Sequence, residues 1–450
     1  MGQLFGTDGI RGQANSYPVT PEIALRLGKT VGNFFANQDD KPSRVIIGKD
    51  TRLSGYMLET ALTSGLVSAG MTVLLVGPLP TPGVAHLTRS MNACVGIMLT
   101  ASHNPFDDNG IKIFGSSGFK INDEIEEQME EKILFDPVNN DHVRSDRLGK
   151  AYRIEDARGR YIEFVKSTAG NVSLDGLKVV LDCAHGAGYL IGPWILQELG
   201  AEVHEINAEP DGYNINNDCG ALHPENVGRA VKEMGADVGI SLDGDADRVV
   251  FVDADGNPVD GDRILAMCAS DYKEKGLLKK NTLVATSMSN LGLHEAMHQN
   301  GISVETSAVG DRHVIEKMRA NGYNLGGEKS GHIIFMDYAT TGDGILSGLQ
   351  VLRLMKEKDC PISELADCMT EYPQQQESVR VDEKAPIDSV PELDSIIKEC
   401  AAELGSDGRV VVRYSGTEPK LRFLVEAKTS DKVDGWMNRL IETARKTLCK

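Results

Sequence analysis

The chain has 450 residues, 41% of them apolar and 25% charged, which suits about three to four domains with buried cores and excludes fibrous or disordered classes. Lys and Arg number 47 against 66 Asp and Glu, a net charge of −19 that argues against nucleic acid and anionic membrane surfaces as partners. No apolar run approaches the roughly 18–20 residues of a membrane span, the first residues lack the apolar core of a signal peptide, and the eight cysteines form no CxxC pair. A cytoplasmic chain with reduced, mostly buried thiols is expected.

Strand-like and helix-like runs alternate from the start. A helix is predicted over 20–37, with Thr20 as its cap, Pro21 in its first turn, and Ile23, Leu27, Val31 and Phe34 along one face. A short apolar strand follows over 44–48, then a helix over 56–69 and a strand over 71–76. Continuous apolar strands between helices indicate a parallel sheet buried on both faces. Three helix-to-strand junctions align: Ala69-Gly70-Met71-Thr72-Val73, Leu199-Gly200-Ala201-Glu202-Val203 and Asn300-Gly301-Ile302-Ser303-Val304. They suit three similar α/β domains. After Pro373 the order changes to strand, helix, strand, strand, helix, which is an α+β pattern. The expected fold class is therefore α/β, with three similar mixed sheets and a smaller C-terminal α+β domain. Boundaries are expected near 150, 256 and 370.

Two phosphate-loop candidates fail. Leu27-Gly28-Lys29-Thr30 ends like a P-loop, but Ile23 stands where the first glycine must be. Gly186-Ala187-Gly188 is followed by a third glycine one place late, at Gly192, and reads as a tight strand-to-helix turn.

Four other segments carry chemistry. Asp243, Asp245 and Asp247 alternate after an apolar strand over 238–242. On an extended chain such neighbours lie about 7 Å apart, and each pair repels by roughly 2 kcal/mol at an effective dielectric of 20. A cation between them would remove that cost. An EF-hand fails because Arg248 and Ala254 occupy the positions of its Gly and Glu. All-oxygen ligands favour Mg²⁺ over Zn²⁺. Ser102, in Thr100-Ala101-Ser102-His103-Asn104-Pro105, follows the strand over 94–99, at the sheet end where open α/β folds bind ligands. Lys112 returns ten residues later. Gly326-Gly327-Glu328-Lys329-Ser330-Gly331-His332 offers a carboxylate, a hydroxyl and an imidazole to sugar hydroxyls. Arg413-Tyr414-Ser415-Gly416-Thr417 offers what a phosphate needs: a guanidinium, hydroxyls and freed backbone N–H groups.

Together with Phe5-Gly6-Thr7-Asp8-Gly9-Ile10-Arg11-Gly12, these segments resemble the α-D-phosphohexomutase superfamily over essentially the whole chain. Segments 289–293, 324–328 and 340–344 bring it nearest to the phosphoglucosamine branch. The resemblance implies an isomerase that interconverts glucosamine 6-phosphate and glucosamine 1-phosphate, for amino-sugar nucleotide synthesis. It would work through a phosphoserine at Ser102 and a bisphosphorylated sugar, with a phosphomannomutase/phosphoglucomutase as the alternative. A non-catalytic sugar-phosphate binder is disfavoured by Ser102 and the intact Asp triad. The resemblance also implies a central cleft among four domains. These are a phosphoserine domain (1–150), a metal domain (151–256), a sugar domain (257–370) and a phosphate domain (371–450).

By the same resemblance one Mg²⁺ per chain is held by Ser102, Asp243, Asp245 and Asp247. Arg11 and Lys112 flank the phosphoserine. Glu328, Ser330, Arg248, Lys49 and His103 face the substrate, and Arg413, Ser415, Gly416 and Thr417 hold its distal phosphate. Lys112 and His332 are the candidate bases, Lys112 first. Glucosamine 1,6-bisphosphate is the expected primer, a sugar phosphate the only expected partner, and a monomer or homodimer the expected state. Lys329 stands where the branch has Gln, and Tyr414 where it has Pro. Alternate residues of an extended loop face opposite ways, so Lys329 is expected to point away from the sugar.

Overall fold

The computed structural model describes residues 4–6, 8–36, 43–135, 143–415 and 419–448. It divides into two compact units, Met1–Met288 with Gly301–Cys368 and Ser289–Asn300 with Met369–Lys450.

Local sequence accounts for the first helix, Pro21–Phe35. The Thr20 hydroxyl accepts from the Ile23 N–H, and Pro21 has no N–H to leave unsatisfied. Ile23, Leu27 and Val31 are buried as expected. The row continues to Phe35 instead of Phe34, because an i, i+4 ridge continues past Val31 to 35. Strand Arg44–Lys49 follows, with Val45, Ile46 and Ile47 fully enclosed. Each such side chain contributes about 1.5–3 kcal/mol by leaving water.

The first unit holds three sheets with one shared topology. In the first, strands Asp108–Gly115, Val95–Leu99, Arg44–Lys49 and Thr72–Pro78 lie in that order. In the second the order is Val249–Asp253, Val238–Leu242, Lys178–Asp182, Glu202–Ile206. In the third it is Ile333–Phe335, Leu325–Gly327, Thr282–Thr286, Ser303–Ser307. Each set has three parallel strands and one antiparallel strand that closes a hairpin with its neighbour. The repeated junctions enter the equivalent strands Thr72–Pro78, Glu202–Ile206 and Ser303–Ser307. Their glycines Gly70, Gly200 and Gly301 have φ of 87°, 99° and 61°, where a side chain would be strained. These hairpins turn through Ser102, through the Asp243–Asp247 segment and through the Glu328–His332 segment. The three candidate loops thus occupy one topological position, at the carboxyl ends of parallel strands.

The second unit has an antiparallel sheet of Gln374–Arg380, Lys420–Ala427 and Gly408–Tyr414, with Lys420–Ala427 central. Helices Pro391–Leu404 and Ser430–Leu448 cover it, through a core that includes Leu393, Phe423, Trp436 and Leu440. This is the expected α+β order. The unit also takes helix Leu291–Gln299, which the sequence assigned to the third domain. The buried Glu426 carboxylate explains this, since it accepts from the Leu291 N–H at 2.6 Å and from Arg409 Nε at 2.7 Å. Asn290 adds a two-way bond to the Tyr372 backbone.

Among the described residues no helix is long and apolar enough to cross a membrane. Seven cysteines form no disulfide there, and five of them are buried.

Candidate active site

Ser102 is buried in the turn after Val95–Leu99, with its backbone in the left-handed region at φ 52°. That conformation costs a non-glycine residue about 1–3 kcal/mol unless its surroundings enforce it. Arg52 provides the enforcement. It is fully enclosed, pairs with Asp50 at 2.9 Å, and donates to the carbonyls of Ser102 (3.0 Å), Asn104 (2.8 Å), Asp108 (3.1 Å) and Pro105. Asn216, from the second sheet region, donates to the Ser102 and Asn104 carbonyls at 2.8 and 2.9 Å. The loop is thereby fixed from both sides, and the Ser102 hydroxyl is left to donate to Asp243 Oδ2 at 2.7 Å.

The three aspartates are all buried, with ligand oxygens within 4.8 Å of one another. This is closer than the extended-chain expectation of about 7 Å. The reason is Ala246, whose φ of 55° curls the loop. The turn is pinned by the Ala246 N–H on the Asp243 carbonyl and by the Gly344 N–H on the Ala246 carbonyl. Asp243 Oδ1 accepts from the Arg248 N–H, Asp245 Oδ2 from Thr81 and Lys112, and Asp247 Oδ2 from Lys112. Asp245 Oδ1 and Asp247 Oδ1 are buried with no hydrogen-bond partner, and the nearest cationic groups to Asp247 Oδ1 are His332 Nδ1 at 3.6 Å and Arg248 Nε at 3.9 Å. Burial, then the neighbouring Asp247 and Asp245 charges, pushes the Asp243 carboxyl well above its usual range. Crowded oxygen ligands with unpaired buried lone pairs fit a hard divalent cation.

Lys112 reaches Asp245 at 3.0 Å and Asp247 at 3.2 Å from the strand Asp108–Gly115. Burial opposes its charge, but Asp245, Asp247 and Asp8 outweigh burial and hold the ammonium well above its ordinary value. Burial also opposes charge on His332, and Asp247 outweighs it, moving the ring up from its ordinary value. The Gly342 N–H donates to His332 Nε2 at 3.0 Å, which leaves the ring proton on Nδ1, 3.6 Å from Asp247.

Arg11 pairs with Asp8. Asp8 also meets Lys120 and lies 3.4 Å from Lys112, Lys120 bonds Asp311 at 2.7 Å, and Asp311 lies 3.8 Å from His332. Lys112, Asp8, Lys120, Asp311, His332 and Asp247 therefore close a ring of facing charges that joins the serine hairpin to the sugar loop.

In that sugar loop Glu328 is buried, and its Oε1 accepts from the Gly310 N–H at 3.0 Å. Lys329 lies 3.4 Å from Asp260, the residue capping helix Gly261–Glu274. Ser330 is exposed. The loop backbone is docked by the Val249 N–H on Gly331 O and the Gly261 N–H on Lys329 O, both at 3.0 Å. His103 accepts from Arg248 at 3.1 Å, and burial with Arg248 lowers its pKa to about 4. Lys49 is not drawn into the cluster: it pairs with Glu59 at 2.6 Å and sits over the Tyr56 ring. In the second unit Ser415 is buried, its N–H donating to Lys420 O and its carbonyl accepting from Lys384. Arg413 lies on the same sheet, and Tyr414 donates to Ala385 O at 2.6 Å. Gly416 and Thr417 lie outside the described residues.

The phosphoglucomutase/phosphomannomutase alpha/beta/alpha domains I, II and III match residues 2–136, 159–256 and 260–372, and the C-terminal domain of the same family matches 378–443. A phosphoglucosamine mutase from Geobacter sp. (strain M21) is 54% identical over 449 residues, covering 100% of this chain and 99% of that protein. The chain belongs to the phosphoglucosamine mutase family. A second member, from Citrifermentans bemidjiense, is also 54% identical, with 97% and 96% of the two chains covered. Among solved structures, a phosphoglucomutase/phosphomannomutase family protein from Burkholderia thailandensis superposes with a TM-score of 0.80 at 23% identity, covering 98% and 97% of the chains. The N-acetylphosphoglucosamine mutase of Aspergillus fumigatus, solved with GlcNAc-6P and magnesium, gives 0.70 at 17% identity, over 98% and 95%. These two share the fold.

Within this family site, sequence reasoning missed Arg52, Asn216, Thr81, Lys120 and Asp311, and it quoted Asp8 within a motif without giving it a role. Arg52 had a usable signal, because Asp50-Thr51-Arg52 places opposite charges at a strand end, as the Ser102 segment places its hydroxyl. The others are single polar residues whose partners lie far along the chain.

Proposed function

We propose that this enzyme interconverts glucosamine 6-phosphate and glucosamine 1-phosphate, with Ser102 as the phosphoryl carrier. The observation that carries the reading is the Ser102 hydroxyl held 2.7 Å from Asp243, in a family whose curated members act as phosphoglucosamine mutases. Asp243, Asp245 and Asp247 would hold one Mg²⁺ with Ser102. When bound, that ion supplies charge neutralisation at the transferring phosphoryl oxygens.

The chain's own groups do the rest. In the first transfer the phosphorus–Ser102 Oγ bond breaks as a bond to the sugar oxygen forms. The sugar hydroxyl gives up its proton, and Ser102 is left free to accept the other phosphate from the bisphosphorylated sugar. Glucosamine 1,6-bisphosphate would start the cycle. A phosphoserine adds about −2 to a site already rich in carboxylates, so Lys112 and Arg11 are assigned to neutralise it. The transition state of phosphoryl transfer is loose, and positioning with charge stabilisation carries most of the catalysis. For the proton, His332 stands beside Lys112 as a candidate: its Nε2 accepts from the Gly342 N–H at 3.0 Å and lies 3.8 Å from Asp311 Oδ2. Glu328 and Ser330 are assigned to sugar hydroxyls, and Arg413, Ser415, Gly416 and Thr417 to the phosphate not being transferred. Thiols that form no disulfide among the described residues suit a reducing compartment, and we place the enzyme in the cytoplasm.

The Lys329–Asp260 pair supports the amino sugar over glucose or mannose phosphate. A free ammonium about 6 Å from the 2-amino cation would cost near 3 kcal/mol at dielectric 20, and Asp260 offsets it. The test is relative kcat/KM for glucosamine, glucose and mannose 6-phosphates. The amino sugar should lead by tenfold or more, and a tenfold preference for either neutral sugar would overturn the assignment.

A further inference from the structure

The metal assignment leaves a question about Asp245. Its carboxylate could turn either oxygen towards a cation, and Lys112 alone could swing with it. The contact that fixes it comes from the other side. Helix Thr81–Ser90 begins at Pro80, and Pro82 occupies its second position. Neither proline has an N–H, so Thr81 carries the only backbone donor among these three residues. That N–H donates to the Asp245 carbonyl at 3.0 Å, and the Thr81 hydroxyl donates to Asp245 Oδ2 at 2.6 Å. One fully buried residue thus holds both the main chain and the side chain of Asp245. The hold crosses from the first sheet region to the second.

We propose that Thr81 is a positioning residue for the metal loop. Its hydroxyl occupies Oδ2 and so leaves Oδ1 of Asp245, which is buried and unpartnered, as the oxygen turned to the cation. The inference rests on the reading of the aspartates as a metal site. Thr81 touches no substrate and makes no bond to the ion. Its effect is to pre-pay the ordering of one ligand. Groups that orient metal ligands in this way commonly change metal affinity by about 10–100-fold.

Full-length enzyme titrated with Mn²⁺, followed by the loss of the free-ion electron paramagnetic resonance signal, tests this. Thr81→Val keeps the shape and removes the donor, while Thr81→Ser keeps the donor. The valine variant should bind Mn²⁺ about 10–100-fold more weakly, with the serine variant within about threefold of wild type. The Mg²⁺ concentration for half-maximal activity should rise with the Mn²⁺ dissociation constant, and kcat at saturating Mg²⁺ should recover. A merely structural role would instead lower kcat at every Mg²⁺ concentration. Should the valine variant fail to fold, Thr81→Ala takes its place in the same comparison. Wild-type Mn²⁺ affinity in the valine or alanine variant, or a serine variant as weak as valine, overturns the proposal. A wild-type enzyme that binds no Mn²⁺ removes the metal reading itself, and the proposal with it.

Discussion

The serine loop and the sugar loop sit at the same topological place in their sheets, yet they are held by opposite means. The serine loop is fixed by side chains: Arg52 and Asn216 clamp its carbonyls, and the loop accepts a left-handed residue at its centre. The sugar loop is fixed by its backbone, through Val249 and Gly261 N–H groups on its carbonyls. A loop that carries the covalent step must present one atom in one place. In the sugar loop the side chains make contacts of their own, Glu328 Oε1 accepting from the Gly310 N–H and Lys329 facing Asp260, while the docking of the loop falls to the main chain. Removing a side chain should therefore wreck the first loop and only retune the second.

The largest effect is at Ser102 itself. Ser102→Ala should lower turnover by more than about a thousandfold with the melting temperature within a few degrees of wild type. Turnover near wild type would remove the carrier assignment. Next is its clamp. Arg52→Ala removes a guanidinium from four carbonyls, two of which Asn216 still serves, and from the buried Asp50 carboxylate, and breaking such a buried pair costs about 3–5 kcal/mol. Chemical denaturation should register that loss, and Arg52→Lys should not rescue it, because an ammonium cannot reproduce the planar fork. If lysine restores stability, the fork is not what holds the loop.

Smaller effects are expected in the sugar loop. Glu328→Gln should lower kcat/KM about 10–100-fold, the scale of losing one or two strong hydrogen bonds to substrate, with stability nearly unchanged. An equal loss of stability would mean that the loop is built like its neighbour. Lys329→Gln is the mildest, and steady-state kinetics should put it within about threefold of wild type. A marked gain for the amino sugar would mean that Asp260 does not offset the lysine charge.

The same contrast explains what the sequence made legible. The apolar strands, the capped first helix and the four chemical segments each carry their signal within a dozen residues, and all were readable. The repeated glycine junctions pointed to three similar sheets, because a left-handed helix stop leaves a local mark. The extended-chain spacing of the aspartates was misjudged since Ala246, not a glycine, turns the loop. Thr81, Asn216 and the Asp8–Lys120–Asp311 chain were invisible: their roles exist only when residues more than a hundred positions apart meet. Lys49 looked available for substrate and is instead paired with Glu59, ten residues away on the following helix.

The central claim is that one phosphoryl group resides on Ser102 and passes to the amino sugar. Enzyme charged with glucosamine 1,6-bisphosphate can be examined by intact mass and by fragment sequencing, before and after one equivalent of glucosamine 6-phosphate. The account predicts one added phosphate per chain at Ser102 before substrate, discharged to the sugar at the rate of turnover. Full turnover with no phosphate at Ser102, or with phosphate on another residue that discharges instead, would contradict it.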